Sequence, residues 1–229
     1  TTRGGPSTDL YVDTVGRADV LNGVVGSARR GARIVIVSLY GEPVPAAVVK
    51  ETERLTSHLQ AYVEASPFVI LATAGPDGLD CSPRGDPAGF VHVPDERTLL
   101  IPDRRGNNRA DSLRNIVRDP RVALLFLIPG SGTTFRVNGI AAISAEQSLL
   151  ESLAVDGKTP RTAIIVKISV CFFQCARAVL RASLWDPTKW PTTEGLPTPG
   201  EMLESLTARE INGEKYDTEW PSRAAASMW

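Results

Sequence analysis

The chain has 229 residues, of which 42% are hydrophobic, with a formal net charge of −1 and a sequence isoelectric point of about 6.1. The hydrophobic fraction excludes a disordered chain, and the length allows one large domain or two small ones. The balanced charge gives no general attraction to nucleic acid or to an anionic membrane surface, so neither is an expected partner.

The N-terminal part reads as an extension, followed by one helix. Residues 1–45 are weakly patterned and close at Pro43 and Pro45. From 46 to 65 an apolar stripe recurs at helical spacing, and Ser66-Pro67 ends the predicted helix. No apolar run reaches transmembrane length and no signal pattern stands at the N-terminus, so we expect a cytoplasmic protein.

A strand-rich core follows at short spacing. The predicted strands are 68–74, 79–93 (broken near Pro87), 98–103, 122–128, 134–144 and 162–173. The stretch 104–119 is predicted to become a helix after its Gly106-Asn107 start, and 145–155 is a second predicted helix. Strands and helices do not alternate regularly and no G-x-G-x-x-G or P-loop motif is present, which excludes a Rossmann sheet. The pattern predicts a mainly β fold, an antiparallel barrel of about six strands with peripheral helices, over residues 46–185.

The last segment, residues 186–229, has a different character. It is rich in proline, and all four tryptophans lie between Trp185 and Trp229. Such an arm is typical of a segment that lies on a surface, either its own barrel or a partner subunit.

The three cysteines predict neither a disulfide scaffold nor a metal centre. Cys171 and Cys175 lie four residues apart with no second pair nearby, and the two histidines, His58 and His92, lie far from them in sequence. We therefore expect no metal, and three thiols of structural rather than ligating character.

Arginines are concentrated where an anion site is plausible. Arg84 ends one predicted strand, and Arg104, Arg105 and Arg109 follow the next, before a helix whose first amides Asn107 or Asn108 can cap. Two guanidinium groups and a helix N-terminus suit a phosphate. The alternative is surface charge paired with Asp103, Asp111 and Asp119.

The tripeptide Arg84-Gly85-Asp86 allows a different interpretation, because extracellular adhesion proteins display these residues on loops. That interpretation requires an exposed loop and a secreted chain, and the sequence supports neither.

Three ordered stretches resemble a known family: "FVILATAGPDGLDCSPRGDPAGFV", "TLLIPDRRGNNRADSLRNIVRDPRVALLFLIPG" and "TFRVNGIAAIS". They are similar to the pyridoxamine 5′-phosphate oxidase-like flavoproteins, which are FMN-binding split β-barrels, and most of all to a bacterial subfamily of FMN-dependent enzymes. The resemblance covers roughly residues 40–190. It implies a homodimer with one FMN in each of two clefts between subunits.

The resemblance also implies roles for individual residues. Cys81 and Ser82 would lie along the flavin, and Thr134 would be a flavin-facing polar position. Arg181 and Trp185 would reach the flavin of the partner subunit. The phosphate would be bound by Arg84, Asn108 and Arg109, and Ile101, Pro102 and Asp103 would pass under the ring or the ribityl chain.

Two departures limit what is carried over. The residues that bind the substrate phosphate near the C-terminus of the authentic oxidase are missing, which argues against vitamin B6 oxidation. Gln174 stands where close relatives are expected to have histidine. The expected function is an FMN-dependent oxidoreductase acting on a small organic molecule, with no catalytic residue assigned. The alternatives are a non-catalytic flavin- or haem-binding barrel and a deazaflavin-dependent reductase.

Overall fold

The computed structural model describes residues 10–13, 33–36, 50–76, 78–106 and 109–227. The chain divides into two compact units, Thr1–Lys50 and Glu51–Trp229. In the first unit, β1 (Leu10–Asp13) and β2 (Arg33–Ile36) form a parallel pair.

The second unit is built on a seven-stranded sheet in the order β4-β3-β7-β8-β9-β6-β5, in which every pair is antiparallel. Its strands are β3 (Phe68–Gly75), β4 (Gly78–Gly85), β5 (His92–Asp95), β6 (Thr98–Asp103), β7 (Arg121–Leu127), β8 (Thr134–Ser144) and β9 (Thr162–Gln174). Because β4 and β5 remain as edges, the sheet is an open, split barrel. This confirms the predicted mainly β, antiparallel fold.

One strand prediction was wrong. The stretch 79–93 does not form a single broken strand, because β4 ends at Gly85 and β5 begins at His92 on the opposite edge of the sheet. Phe90 and Val91, in the connection, are buried in the core. Pro83 is tolerated inside β4 because an edge strand needs fewer ladder donors.

Alternating strand residues build one core inside the curved sheet. In β3, for example, Val69 and Leu71 are fully buried while their neighbours are partly exposed. The other members of this core are Leu55, Val63, Phe90, Val91, Leu99, Ile101, Ile116, Val122, Leu124, Phe126, Phe135, Val137, Ala141, Ile164, Val166, Ile168 and Cys171.

All three predicted helices are shorter than the sequence pattern suggested. Helix α1 (Ser57–Ala65) begins at Ser57 because the Thr56 side chain accepts from the Leu59 amide and caps the first turn. Helix α2 (Asp111–Arg118) begins later than the predicted start after Gly106-Asn107. Helix α3 (Gln147–Ser152) lies within the predicted 145–155.

The chain after β9 contains helices that the sequence pattern did not predict. Helix α4 (Arg177–Arg181) precedes the C-terminal arm, and the arm itself contains a 3₁₀ turn (Pro187–Lys189), α5 (Pro199–Leu206) and α6 (Gly213–Ser227). Thr198 and Glu201 form a reciprocal cap at the start of α5, and the Asp217 side chain of α6 accepts from the Gly200 amide over 2.8 Å. These contacts make α5 and α6 a helical hairpin. Within the described ranges no helix combines the length and apolar character needed to cross a membrane.

Candidate functional site

Two opposite charges meet where β4 and β6 end. Arg84 Nη1 donates to Asp103 Oδ1 over 2.5 Å, and the two side chains are only 17% and 21% exposed. Arg84 opposes the buried Val69 and so lies on the core-facing side of the sheet. Since β4 is one edge and β6 adjoins the other edge, this contact spans the open side of the barrel.

A second ion pair lies beside the first and runs in the opposite sense. Arg104 Nε donates to Asp86 Oδ2 over 2.8 Å, and its Nη2 donates to the Leu153 carbonyl over 3.0 Å. The Asp86 side chain is fully buried. Burial, together with the nearby Arg104 charge, lowers the pKa of His92 below its usual value of 6.5.

This geometry excludes the adhesion interpretation of Arg84-Gly85-Asp86. Both charged side chains of the tripeptide are engaged within the chain, and the Asp86 carboxylate has no exposed surface. An adhesion ligand must present these groups on a loop, whereas here they face the interior.

Helix α2 begins close to the start of β4, at the end of the strand away from Arg84. The Ser112 hydroxyl in its first turn donates to Asp80 Oδ2 over 2.7 Å, and Asn115 Nδ2 donates to Thr73 Oγ1 over 3.1 Å. The N-cap is Ala110, which makes no side-chain capping bond. The positive end of the helix dipole therefore lies beside the start of β4, near Asp80.

The predicted partners of Arg84 in an anion site are placed differently from one another. Arg109 is 76% exposed, and its Nε donates to Asp111 Oδ2 over 2.7 Å, a bond that raises the pKa of Arg109. Asn108 and Asn107 lie outside the described residues, and the helix cap is Ala110 rather than either of them. The structure thus forms the pairs with Asp103 and Asp111 that the alternative interpretation named.

Cys81 and Ser82 lie on opposite faces of β4. Ser82 opposes the buried Leu71 and shares the face of Arg84, whereas Cys81 is exposed and opposes Ala72. Continuing the cross-strand register from Cys81 gives a row on the outer face: Cys81, Ala72, Ala123, Asn138 and Val170. The Asn138 Oδ1 atom in this row is buried and has no hydrogen-bond partner among the residues that the structure describes.

Ile101 and Pro102 are not available as side-chain contacts. Both are buried, Ile101 completely and as part of the barrel core, and they oppose Ile164 and Ala163 of β9. Thr134, at the start of β8, is half-buried and opposes Gln174.

Trp185 is attached to its own chain. Its Nε1 donates to the Ser131 carbonyl over 2.8 Å, which ties the start of the C-terminal arm to the turn between β7 and β8. Arg181 is exposed at the end of α4.

Candidate acid–base and nucleophilic groups lie elsewhere. His92 borders an open groove of about 400 Å³ with Glu64, Val93, Leu100 and Ser152. Burial raises the pKa of the Cys171 thiol to about 11, so this cysteine is a neutral core residue. Within the described ranges, no group of His, Cys, Asp and Glu side chains could hold a metal ion.

Sequence reasoning missed the roles of Asp86 and Arg104. The sequence carried a signal for these two pairs. Arg84-Gly85-Asp86 at the end of one strand and Asp103-Arg104 at the end of another have their charges in reversed order, so each arginine can pair with an aspartate. That signal has meaning only once the fold brings the ends of β4 and β6 together.

Several solved structures resemble the chain. A candidate pyridoxamine 5′-phosphate oxidase of Lactobacillus delbrueckii is 23% identical over 54% of this chain and 99% of its own, with a TM-score of 0.43. HupZ of Group A Streptococcus is 15% identical, covering 51% and 91%, with a TM-score of 0.42. An FMN-binding protein of Syntrophomonas wolfei is 13% identical, covering 50% and 80%, with a TM-score of 0.38.

These likenesses are too weak to assign anything by themselves. No curated protein sequence matches the chain significantly. The family model described as pyridoxamine 5′-phosphate oxidase, however, matches residues 55–175, more than half of the chain and the whole of the seven-stranded sheet. The chain therefore belongs to the pyridoxamine 5′-phosphate oxidase family.

Proposed function

We propose that the chain is a flavoprotein that binds FMN with its phosphate at Arg84. Membership of the family supports a flavin ligand, and one structural observation supports the place. Arg84 Nε is buried and has no hydrogen-bond partner within the described structure. An unpaired buried donor costs about 1–3 kcal/mol, and a phosphate oxygen is an acceptor that would remove this cost.

The surrounding donors fit a phosphate by hydrogen bonding more than by net charge. A guanidinium carries five N–H donors, so the bond from Arg84 Nη1 to Asp103 leaves others available. The Ser82 hydroxyl lies on the same face of β4 as Arg84, two residues before it. The two buried ion pairs cancel in charge, so the exposed Arg105 and Arg109 would supply the positive potential.

The further assignments along the flavin are part of this proposal. Cys81 on the outer face, Asp103 beside Arg84, and Thr134 would contact the cofactor, while Ile101 and Pro102 would do so through the main chain. Asn108 and Arg109 would complete the phosphate site.

We infer that the reaction is an oxidation or reduction of a small organic molecule. Bound flavin supplies hydride transfer at its ring, and the chain binds and orients both partners. His92 is a weak candidate for proton transfer, because it borders a separate groove rather than the Arg84 site. Cys171 is excluded as a nucleophile by its burial and raised pKa.

The active form is proposed to be a homodimer with the flavin between subunits. Large apolar side chains remain exposed on the sheet and on α2, with Leu79 at 89%, Ile140 at 47% and Val117 at 76%. Dimerisation would cover such side chains, and Arg181 and Trp185 would approach the partner's flavin. In this scheme residues 1–45 are an extension, 46–185 the flavin domain and 186–229 an arm.

Purification without added cofactor tests the proposal. The absorption spectrum should show two flavin bands, and the flavin released on denaturation should be FMN by chromatography. A colourless protein that takes up no added FMN would contradict it. A Soret band would contradict the proposal and support the haem-binding alternative. Release of a deazaflavin would contradict it and support the reductase alternative.

A further inference from the structure

The open side of the barrel is bridged by four charged side chains. We name Arg84, Asp86, Asp103 and Arg104 the clasp. Strand β4 supplies Arg84 and leads into Asp86, while β6 supplies Asp103 and leads into Arg104. Each side therefore contributes one cation and one anion, and the two ion pairs run in opposite senses. β4 and β6 are not neighbours in the sheet, so the clasp joins two strands that are not paired by backbone hydrogen bonds.

The Asp86–Arg104 pair is the better anchored half of the clasp. The Asp86 amide donates to the Pro67 carbonyl over 3.1 Å, which fixes Asp86 to the start of β3. Arg104 contacts Asp86 and the Leu153 carbonyl with two different nitrogens, so it ties the end of β6 to both β4 and the end of α3. With side chains 16% and 0% exposed, this pair is shielded from solvent screening.

The Arg84–Asp103 half of the clasp keeps a hydrogen-bond donor that could bind a ligand. Arg84 keeps a buried Nε without an acceptor, whereas its Nη1 is paired with Asp103. Arg84 lies two residues before Asp86, and Asp103 directly precedes Arg104. The anchored pair therefore sets the separation of the backbone segments that carry Arg84 and Asp103.

We propose that Asp86 and Arg104 are positioning residues for the phosphate site. Their ion pair holds the ends of β4 and β6 at a fixed separation, which orients Arg84 before any ligand arrives. Pre-ordering a long arginine side chain reduces the conformational entropy lost on binding. This inference rests on the proposed function, because it takes the Arg84 ligand to be the phosphate of FMN.

A comparison of two flavins on the full-length apoprotein tests the inference. FMN and riboflavin share the ring and differ in the phosphate, so the ratio of their affinities reports on the phosphate site alone. Titrations would be made on the wild type, Asp86→Asn, Arg104→Gln and the double variant. Asp119→Asn and Arg121→Gln are matched controls, since they remove the same charges from an exposed Arg–Asp pair. Arg104→Lys, which keeps the charge, stands in where a neutral variant does not fold.

We expect Asp86→Asn and Arg104→Gln each to lower FMN affinity about tenfold while riboflavin affinity changes less than about twofold. The double variant should lose no more than either single variant, because both remove one ion pair. Arg104→Lys should fall between the wild type and Arg104→Gln, and the controls should keep the wild-type ratio.

Two results would overturn the inference. Equal losses of FMN and riboflavin affinity would show a merely structural pair, and unchanged affinities for both flavins in folded variants would show that Arg84 needs no positioning. The wild-type ratio itself reports on the proposed function: if the wild type has no preference for FMN, the phosphate assignment fails first and the inference with it.

Discussion

The molecule contains two kinds of arginine–aspartate pair that look alike in distance. Arg84–Asp103 and Arg104–Asp86 have N–O distances of 2.5 and 2.8 Å, and Arg121–Asp119 and Arg109–Asp111 have 2.5 and 2.7 Å. The arginines of the first kind are 17% and 16% exposed, whereas those of the second are 75% and 76% exposed.

The pairs also differ in what they connect. The buried pairs join residues 19 and 18 positions apart on opposite sides of the barrel opening, whereas the exposed pairs join residues two positions apart. A local exposed pair forms almost as readily in the unfolded chain and is screened by water. Burial and sequence separation, not the N–O distance, therefore distinguish an ion pair that stabilises the fold from an exposed pair that contributes little to stability.

The largest expected effect is on folding stability. Asp86→Ala leaves the Arg104 guanidinium largely buried without its anion, so the free energy of unfolding should fall by about 3 kcal/mol. Urea denaturation of the apoprotein measures this change. Asp119→Ala is the control and should leave the midpoint unchanged within error. Equal midpoints for the two variants would remove the distinction between the two kinds of pair.

The next effect concerns the two arginines assigned to the phosphate. Arg109 is exposed and bonded to Asp111, so Arg109→Ala should lower FMN affinity by less than about fivefold. Flavin fluorescence titration at two salt concentrations checks it, since a screened contribution should shrink as salt rises. A loss as large as that of Arg84→Ala would mean that Arg109 leaves Asp111 to bind the ligand directly.

The smallest effect is a pH dependence in an exposed pair. Hydrogen bonds from Arg121 lower the pKa of Asp119 from 3.8 to about 2. Because the folded-state pKa is depressed, the small stabilisation from this pair is present above about pH 4 and is lost as the pH falls toward 2. NMR titration of the Asp119 carboxyl should give a midpoint near 2. A midpoint near 4 would show that the pair does not form in solution.

Strand positions followed from the sequence more readily than helix positions. The runs that became β6 and β8 were predicted with the observed bounds because apolar and β-branched residues fill them between turn residues. The N-terminal end of α1 was missed because the apolar stripe continues upstream of Thr56, whereas the side-chain cap at Thr56 decides where the helix begins. The start of α5 carried a readable signal, Thr198-Pro199 with Glu201, hidden by the proline-rich composition around it.

The candidate site was predicted in part, through a resemblance rather than through pairing rules. Arg84 was assigned to a phosphate from its place at a strand end, and that assignment stays a prediction. The partnership of Asp86 with Arg104 could not be foreseen, because β4 and β6 are not sheet neighbours and only the curvature of the whole sheet brings their ends together. A contact of this kind, between strands that are not paired, produces no periodic pattern of residues in the sequence.

The central claim is that Arg84 binds the phosphate of a flavin. Titrating the apoprotein and its Arg84→Ala variant with FMN and with riboflavin tests it most directly. The wild type should prefer FMN by at least about tenfold, and the variant should lose about 10- to 100-fold in FMN affinity while its riboflavin affinity stays within about twofold. Equal wild-type affinities for the two flavins, or equal losses in the variant, would contradict the claim.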